Sequence, residues 1–175
     1  MSDDPVETVW HGRFITAKRQ GKWEYVSRAR NIQAAVIVAI DEDDHVLLVE
    51  QYRVPIGRRC LELPAGLVGD ETEGEDALDS AGRELEEETG YRADRVESLG
   101  EFYSSPGLAS EGFTLVRATG LTRIGDGGGT EDEQIVVHRV ALAALPAFVA
   151  AKRAEGLAID VKMLLLISGA LLATG

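Results

Sequence analysis

One cysteine and three histidines are all this chain of 175 residues offers to thiol and imidazole chemistry. A lone thiol, Cys60, cannot close an internal disulfide, so the chain reads as one belonging to a reducing cytoplasm. We read Cys60 as a packing residue rather than a nucleophile. His11, His45 and His138 are scattered along the chain and give neither a metal-ligand nor a triad spacing. Basic residues are also scarce: 18 Lys and Arg stand against 30 Asp and Glu, a formal net charge of −12. That balance excludes the basic patches a nucleic-acid surface needs, and it means an anionic substrate has to arrive with a cation. The apolar run at 163–173 is too short to span a bilayer. No basic segment followed by an apolar stretch opens the chain, so neither a membrane anchor nor a signal peptide is expected.

What is present is ordinary for a globular protein, with 45% apolar and 27% charged residues. The length makes one domain with a substantial core the default. Residues 1–7 are polar and read as loose. Residues 13–19 and 22–28 have strand-like composition and are joined by Gln20-Gly21, which predicts a hairpin. Residues 34–40 form a continuous β-branched run, as in a strand buried on both faces. Further strands are expected at 46–49, 96–103, 113–117 and 135–140, residues 61–63 lead into a Pro64-Ala65-Gly66 loop, and helices are expected at 76–89, 141–155 and 160–172. Strands interspersed with three helices predict an α/β or α+β domain, with a mixed sheet between helices.

The segment ending at Gly90 carries the chemistry. Glu84, Glu86, Glu87 and Glu88 crowd the last turn and a half of the expected helix. Carboxylates are unfavourable at the negative end of a helix dipole, and Glu84 and Glu88 at i,i+4 repel. Leu78, Ala81 and Leu85 share one stripe that should face the sheet, with Glu84 and Glu88 at its border, Glu87 one step further round and Glu86 towards solvent. A solvated acidic face is one reading of the run. The other is a site for a hard cation: Mg²⁺ takes a few carboxylates together with water and phosphate oxygens. Arg83, at i,i+4 from Glu87, is placed to orient it.

The wider pattern, Gly69-x5-Glu75-x7-Arg83-Glu84-Leu85-x-Glu87-Glu88-x-Gly90-Tyr91, matches the Nudix box at every fixed position, and the chain resembles a Nudix hydrolase. The resemblance implies an α/β/α sandwich around a mixed sheet, and metal-dependent cleavage of a nucleoside diphosphate linked to another group. Glu84, Glu87 and Glu88 are then the metal group, with Mg²⁺ as the cation and Mn²⁺ as the alternative, and Glu75 is a helper near the helix start. Relatives that hydrolyse ADP-ribose carry the box glycine inside Pro-Ala-Gly. Here Pro64-Ala65-Gly66 lies three residues too early for the box spacing. Either the loop has an insertion and the Ala65 carbonyl is a metal ligand, or Gly69 is the box glycine and Val68 supplies that carbonyl.

Other features resemble the ADP-ribose pyrophosphatase branch. Arg53, in Gln51-Tyr52-Arg53, matches an arginine that contacts the substrate's phosphates. Pro106, in Ser105-Pro106-Gly107, matches a proline characteristic of the branch. Glu111 matches a glutamate that contacts the terminal ribose. The tract 125–129 lacks the Gly-Lys-Ser/Thr ending of a phosphate loop. We read it as a mobile lid that ends in the acidic run 131–133. The resemblance makes Glu133 the residue that activates the attacking water, with Glu131 second. In the branch the N-terminal strands swap between subunits of a homodimer, and an aromatic from them stacks on adenine. Residues 1–30 are accordingly expected to dimerise and 31–175 to form the hydrolase domain, with Trp23 the stacking candidate and Phe14 behind it. The implied substrate is ADP-ribose, and another nucleoside diphosphate sugar, such as GDP-mannose, is the alternative. A non-catalytic nucleotide-binding domain is disfavoured because the box carboxylates are intact.

Overall fold

The computed structural model describes residues 4–30, 32–69, 76–130 and 133–167. Three antiparallel strands come first: β1 (Glu7–His11), β2 (Ile15–Gln20) and β3 (Trp23–Arg28). The expected hairpin is β2–β3, closing where Gln20 pairs with Trp23 and Gly21 takes a φ of 55°. The strand β1 was not foreseen. All five of its residues are exposed, so no burial pattern marks it in the sequence, and a bulge between Thr8 and Trp10 breaks its register.

The remaining strands form two mixed four-stranded sheets rather than one. In the first, the order is β7 (Ala65–Leu67), β4 (Ala34–Ala39), β9 (Phe113–Arg123), β8 (Tyr91–Phe102). In the second, it is β10 (Val136–Ala141), β5 (His45–Arg53), β6 (Arg58–Glu62), β11 (Ala158–Ile159). The pairs β4–β9 and β6–β11 are parallel and the others antiparallel. The run in β4 explains the layering. Val36 and Val38 face a core shared with Val46, Leu48 and Leu61 of the second sheet, while Ala35, Ile37 and Ala39 face a core shared with Ala81 and Leu85 of the helix α1 (Ala77–Thr89). A strand covered on both sides needs apolar residues at every position.

Helix α1 starts at Asp76, whose side chain accepts the Leu78 N–H, and ends at Gly90 with a φ of 73°. The second expected helix is a 3-10 turn at Leu142–Ala144 followed by α2 (Leu145–Ala154), which closes the inter-sheet core with Leu145 and Val149. The third begins as a 3-10 turn at Val161–Met163 and stays helical through 167, and residues 168–172 lie outside those described. Among the described residues no helix is long and apolar enough to cross a membrane. The N-terminal sheet is tied to the body through β3: the Val26 N–H donates to the Leu108 carbonyl, the Ser110 N–H to the Val26 carbonyl, and Arg28 pairs with Glu111.

One buried carboxylate holds the second sheet to α2. Glu50 of β5, its side chain 10% exposed, accepts from Arg59 of β6 at 2.7 Å, His138 of β10 at 3.0 Å and Lys152 of α2 at 3.1 Å. Burial alone raises its pKa, but the three donors outweigh that and leave it near 2, against an ordinary value of 4.5. A depressed carboxylate pKa contributes stability that is complete above the unfolded value and lost as the pH falls towards the folded one. Urea unfolding followed from pH 6 to pH 2 should therefore show stability falling between about 4.5 and 2, and Glu50→Gln should flatten that fall. At pH 7 the same variant should be less stable by about 3 kcal/mol, because its partners are left without a buried counter-charge.

Candidate active site

Packing of Ala81 and Leu85 against the sheet sets the azimuth of α1 and so brings Glu84 and Glu88 to the edge of the core. Glu88 is 5% exposed, and one of its carboxylate oxygens accepts the Ala65 N–H at 3.1 Å. Burial pushes its pKa up to about 8. The Ala65 N–H and Arg53 pull it down, while the charges of Glu84 and Glu133 push it further up. Two glutamates of one helix and a third from a distant loop therefore share one field. Glu84 is bridged to Arg83 at 3.1 Å, and the other arm of the same guanidinium holds Glu87 at 3.1 Å.

Of the three carboxylates expected to converge, Glu84 and Glu88 face a cavity of about 610 Å³. Glu87 stands on the exposed flank, tied to Arg83, and neither residue lines the cavity. Glu86 is not free in solvent but pairs with Arg92 at 2.7 Å.

The loop beside the helix explains the glycine question. A Cβ on Gly66 would stand 2.0 Å from the Glu84 carboxyl carbon, so only glycine there lets Glu84 lie over β7. Gly69 serves a different need, a φ of 78° at the end of the described part of the loop. Ala65 lines the cavity beside Glu88.

Arg53, Glu111 and Glu133 also line the cavity. Arg53 is held by Glu62 through two bonds of 2.7 Å, which use two of the fork's five N–H donors. Glu133 is held by Thr130, whose N–H and hydroxyl donate to it at 2.8 and 3.1 Å. Other expected residues are not brought to the cavity of their own chain. Pro106 is exposed in its turn, and Trp23 and Phe14 are 54% and 62% exposed. Glu75 and Glu131 lie outside the described residues.

Sequence reasoning missed Arg28, Glu62, Asp160 and Lys162, all of which line the cavity. Glu62 had a usable signal: it is an acidic residue between Leu61 and Leu63, and it is 3% exposed. Arg28 and Lys162 had none, because their place depends on partners distant in sequence or on a short 3-10 turn. The reading of Cys60 as a packing residue needs an addition, since it too lines the cavity. Burial and the neighbouring Glu62 push its thiol up to about 12, far from a nucleophile's range.

The glycine tract, expected to act as a lid, is docked against the end of α1. The carbonyls of Glu87 and Glu88, left over at the end of α1, accept from Gly129 and Gly128 at 3.0 and 2.8 Å, and the Gly90 carbonyl accepts from Ile124 and Gly125. A Cβ on Gly127 would stand 2.4 Å from the Thr89 carbonyl carbon. The glycines here combine close docking against the helix end with positive φ at Gly127, Gly128 and Gly129, and they satisfy its orphan acceptors.

The donor set fits a divalent cation. Carboxylate oxygens of Glu84 and Glu88, one of them buried and driven to an unfavourably high pKa, are the hard oxygen ligands such ions take. A second acidic group, Asp41, Asp43 and His45, lies at the opposite end of β5 from Arg53, so His45 does have carboxylate neighbours. Arg139 already neutralises that group through bonds of 2.6 and 2.7 Å.

A family model described as the NUDIX domain matches residues 30–157. The chain is 38% identical over 107 residues to the methanol dehydrogenase activator of Bacillus methanolicus, covering 61% of this chain and 56% of that one. It is 40% identical over 78 residues to an ADP-ribose pyrophosphatase of Bacillus subtilis, covering 45% and 40%. It thus spans about half the length of the curated relatives it matches. A crystal structure titled ADP compounds hydrolase superposes with a TM-score of 0.69 at 26% identity, covering 98% of this chain and 94% of that one.

Gly66→Ala should displace Glu84 and weaken Mn²⁺ binding, read by calorimetric titration, by roughly tenfold or more. The melting temperature should fall by no more than a few degrees. Unchanged affinity would remove Glu84 from the cation site.

Proposed function

The chain belongs to the Nudix hydrolase family, and on that premise we propose that it hydrolyses the pyrophosphate bond of ADP-ribose in the cytoplasm, giving AMP and ribose 5-phosphate. The cofactor in this reading is Mg²⁺, with Mn²⁺ as its substitute. The observation that carries the proposal is the meeting, in one cavity, of the Glu84 and Glu88 carboxylates with Arg53, Glu111 and Glu133. Residues of one sign could hold a cation, but a pyrophosphate sugar also needs cationic and hydroxyl-binding groups within reach of it.

Glu84 and Glu88, with the Ala65 carbonyl, would hold the cation, and Glu87 would join them by turning in from the helix flank where Arg83 holds it. When bound the cation supplies charge neutralisation at the pyrophosphate and a more acidic water. Arg83 bridges Glu84 and Glu87 and so keeps two of these carboxylates aligned along one helix flank. Glu133 takes the proton from the attacking water. Arg53 uses donors not engaged by Glu62 to clamp phosphate oxygens, in the manner that suits a guanidinium fork. Glu111, steadied by Arg28, accepts hydroxyls of the terminal ribose. Phosphoryl transfer is served chiefly by such positioning and charge stabilisation.

On this reading Glu88→Gln folds normally and loses roughly a hundredfold or more in turnover, and near-normal activity would remove Glu88 from the site. A panel of nucleoside diphosphate compounds with Mg²⁺, its products separated by chromatography, tests the substrate. AMP and ribose 5-phosphate from ADP-ribose should dominate. Preference for GDP-mannose or a dinucleoside polyphosphate refutes the assignment while leaving the hydrolytic machinery in place.

The reading extends to a homodimer in which residues 1–30 are the dimerising segment and 31–175 the hydrolase unit. Trp23, and Phe14 behind it, would stack on adenine in the partner's cavity. Pro106 keeps the turn that leads to Glu111. The support is an apolar surface unusual for a short antiparallel sheet: Val9, Trp10, Phe14 and Trp23 are each more than half exposed. Sedimentation equilibrium should give twice the 18.9 kDa chain mass, and Trp23→Ala should raise KM with little change in kcat. A monomer at micromolar concentration sinks the dimer.

A further inference from the structure

We propose that Arg59, which does not line the cavity, is a positioning residue that sets Glu133 through the backbone carbonyl of Gln134. The inference rests on the reading of Glu133 as the general base. It starts from the sheet order β10-β5-β6. Arg59 stands on β6 opposite Tyr52 of β5, one strand removed from β10. Its Nε donates to the Glu50 carboxylate at 2.7 Å, and its Nη2 donates to two carbonyls, that of Glu50 at 2.7 Å and that of Gln134 at 3.1 Å. The side chain therefore reaches across β5 and grips the chain just before β10 begins.

What it grips is a strained residue. Gln134 has a φ of 49°, in the left-handed region that a residue with a Cβ occupies at a cost. Such conformations persist where neighbouring contacts over-determine them. The carbonyl bond from Arg59 is one such contact, and Arg59 is itself aimed by Glu50, which His138 and Lys152 hold from the other side. Glu133 immediately precedes Gln134, so the turn at Gln134 sets the direction in which the Glu133 side chain leaves the backbone. The far side of Glu133 is fixed by Thr130, and Gly129 leaves it room: a Cβ there would stand 2.4 Å from the Glu133 carboxylate oxygen. Glu133 is thus held between Thr130 on one side and Arg59 acting through Gln134 on the other. If Arg59 lets go, Gln134 can relax towards an ordinary φ, and the carboxylate turns away from Glu84 and Glu88.

A lysine in this position keeps the positive charge beside Glu50 but has one nitrogen, which cannot hold the Glu50 carboxylate as Nε does and also reach both carbonyls as Nη2 does. Arg59→Lys is therefore expected to lower kcat by roughly ten- to a hundredfold, to leave KM within about threefold, and to melt within a few degrees of the parent. Arg59→Gln, too short to reach past β5, serves as the second variant if the lysine chain does not fold. Glu133→Gln completes a double-mutant cycle. In its background Arg59→Lys should slow turnover by no more than about twofold, because the group it positions is gone. Additive losses overturn the proposal, as does a lowered melting temperature with unchanged kcat, which marks a purely structural arginine. A slow Glu133→Gln chain with a fast Arg59→Lys chain defeats this inference alone. A fast Glu133→Gln chain defeats both the inference and the assignment of the base.

Discussion

Much of this molecule is arranged around the burial of one carboxylate, Glu88, beside others of the same charge. A glutamate that is 5% exposed costs several kcal/mol unless something compensates it. Among the described residues the compensation comes from the Ala65 N–H and the charge of Arg53, and the Ala65 bond fixes the distance between α1 and the strand β7. With the spacing fixed, Glu84 must lie over Gly66, and no side chain can be tolerated there. The same closeness at the other end of the helix requires glycines where the tract 125–129 docks onto the last carbonyls of α1. On the proposed function the residual cost is what a bound cation would relieve, while Arg83 and Arg92 already offset Glu87 and Glu86 at the helix's negative end.

The second organising feature is the pairing of each cavity cation with an acidic partner. Arg53 is held by Glu62, Arg28 by Glu111, and Lys162 by Asp160 at 2.7 Å. In a chain of net charge −12 these pairs keep cationic groups inside an otherwise acidic protein and pre-orient them. Pre-orientation lowers the entropy lost when an anion binds, which for an arginine or lysine is a substantial part of the cost. The price is that each cation presents only the donors its partner leaves over. The second sheet follows the same plan on a larger scale, with Glu50 drawing Arg59, His138 and Lys152 from three different elements.

Some of this was legible in the sequence for clear reasons. The helix at 77–89 had a cap, an apolar stripe and a terminal glycine, all local signals, and the observed bounds differ from the expected ones by a single residue. The strand β4 had a continuous apolar run, which is the signature of burial on both faces, and it is covered on both. What escaped notice had no local cause. The strand β1 is exposed along its length, and β11 is two residues long and exists because β6 lies alongside it. The division of the strands into two sheets leaves no trace in the periodicity of any one of them. The permissiveness of the glycine tract is a local property and was legible, as its positive φ values show, whereas its smallness matters only when another backbone approaches.

By itself the sequence determined the chemistry that the site can draw on: carboxylates at helical spacing, a loop of Pro64-Ala65-Gly66, an arginine at a strand end and acidic residues after a glycine tract. Spacing along a helix is rigid, so Glu84 and Glu88 had to share a border with Leu85 whatever surrounded them. Tertiary structure alone decided which of those groups meet. It put Glu87 on the outer flank, turned Arg53 onto Glu62, brought Arg28 and Lys162 to the cavity wall and left Trp23 and Phe14 facing outward. Those outcomes depend on how strands are ordered and how closely backbones pack. Both are set by contacts between residues tens of positions apart, which no local pattern encodes.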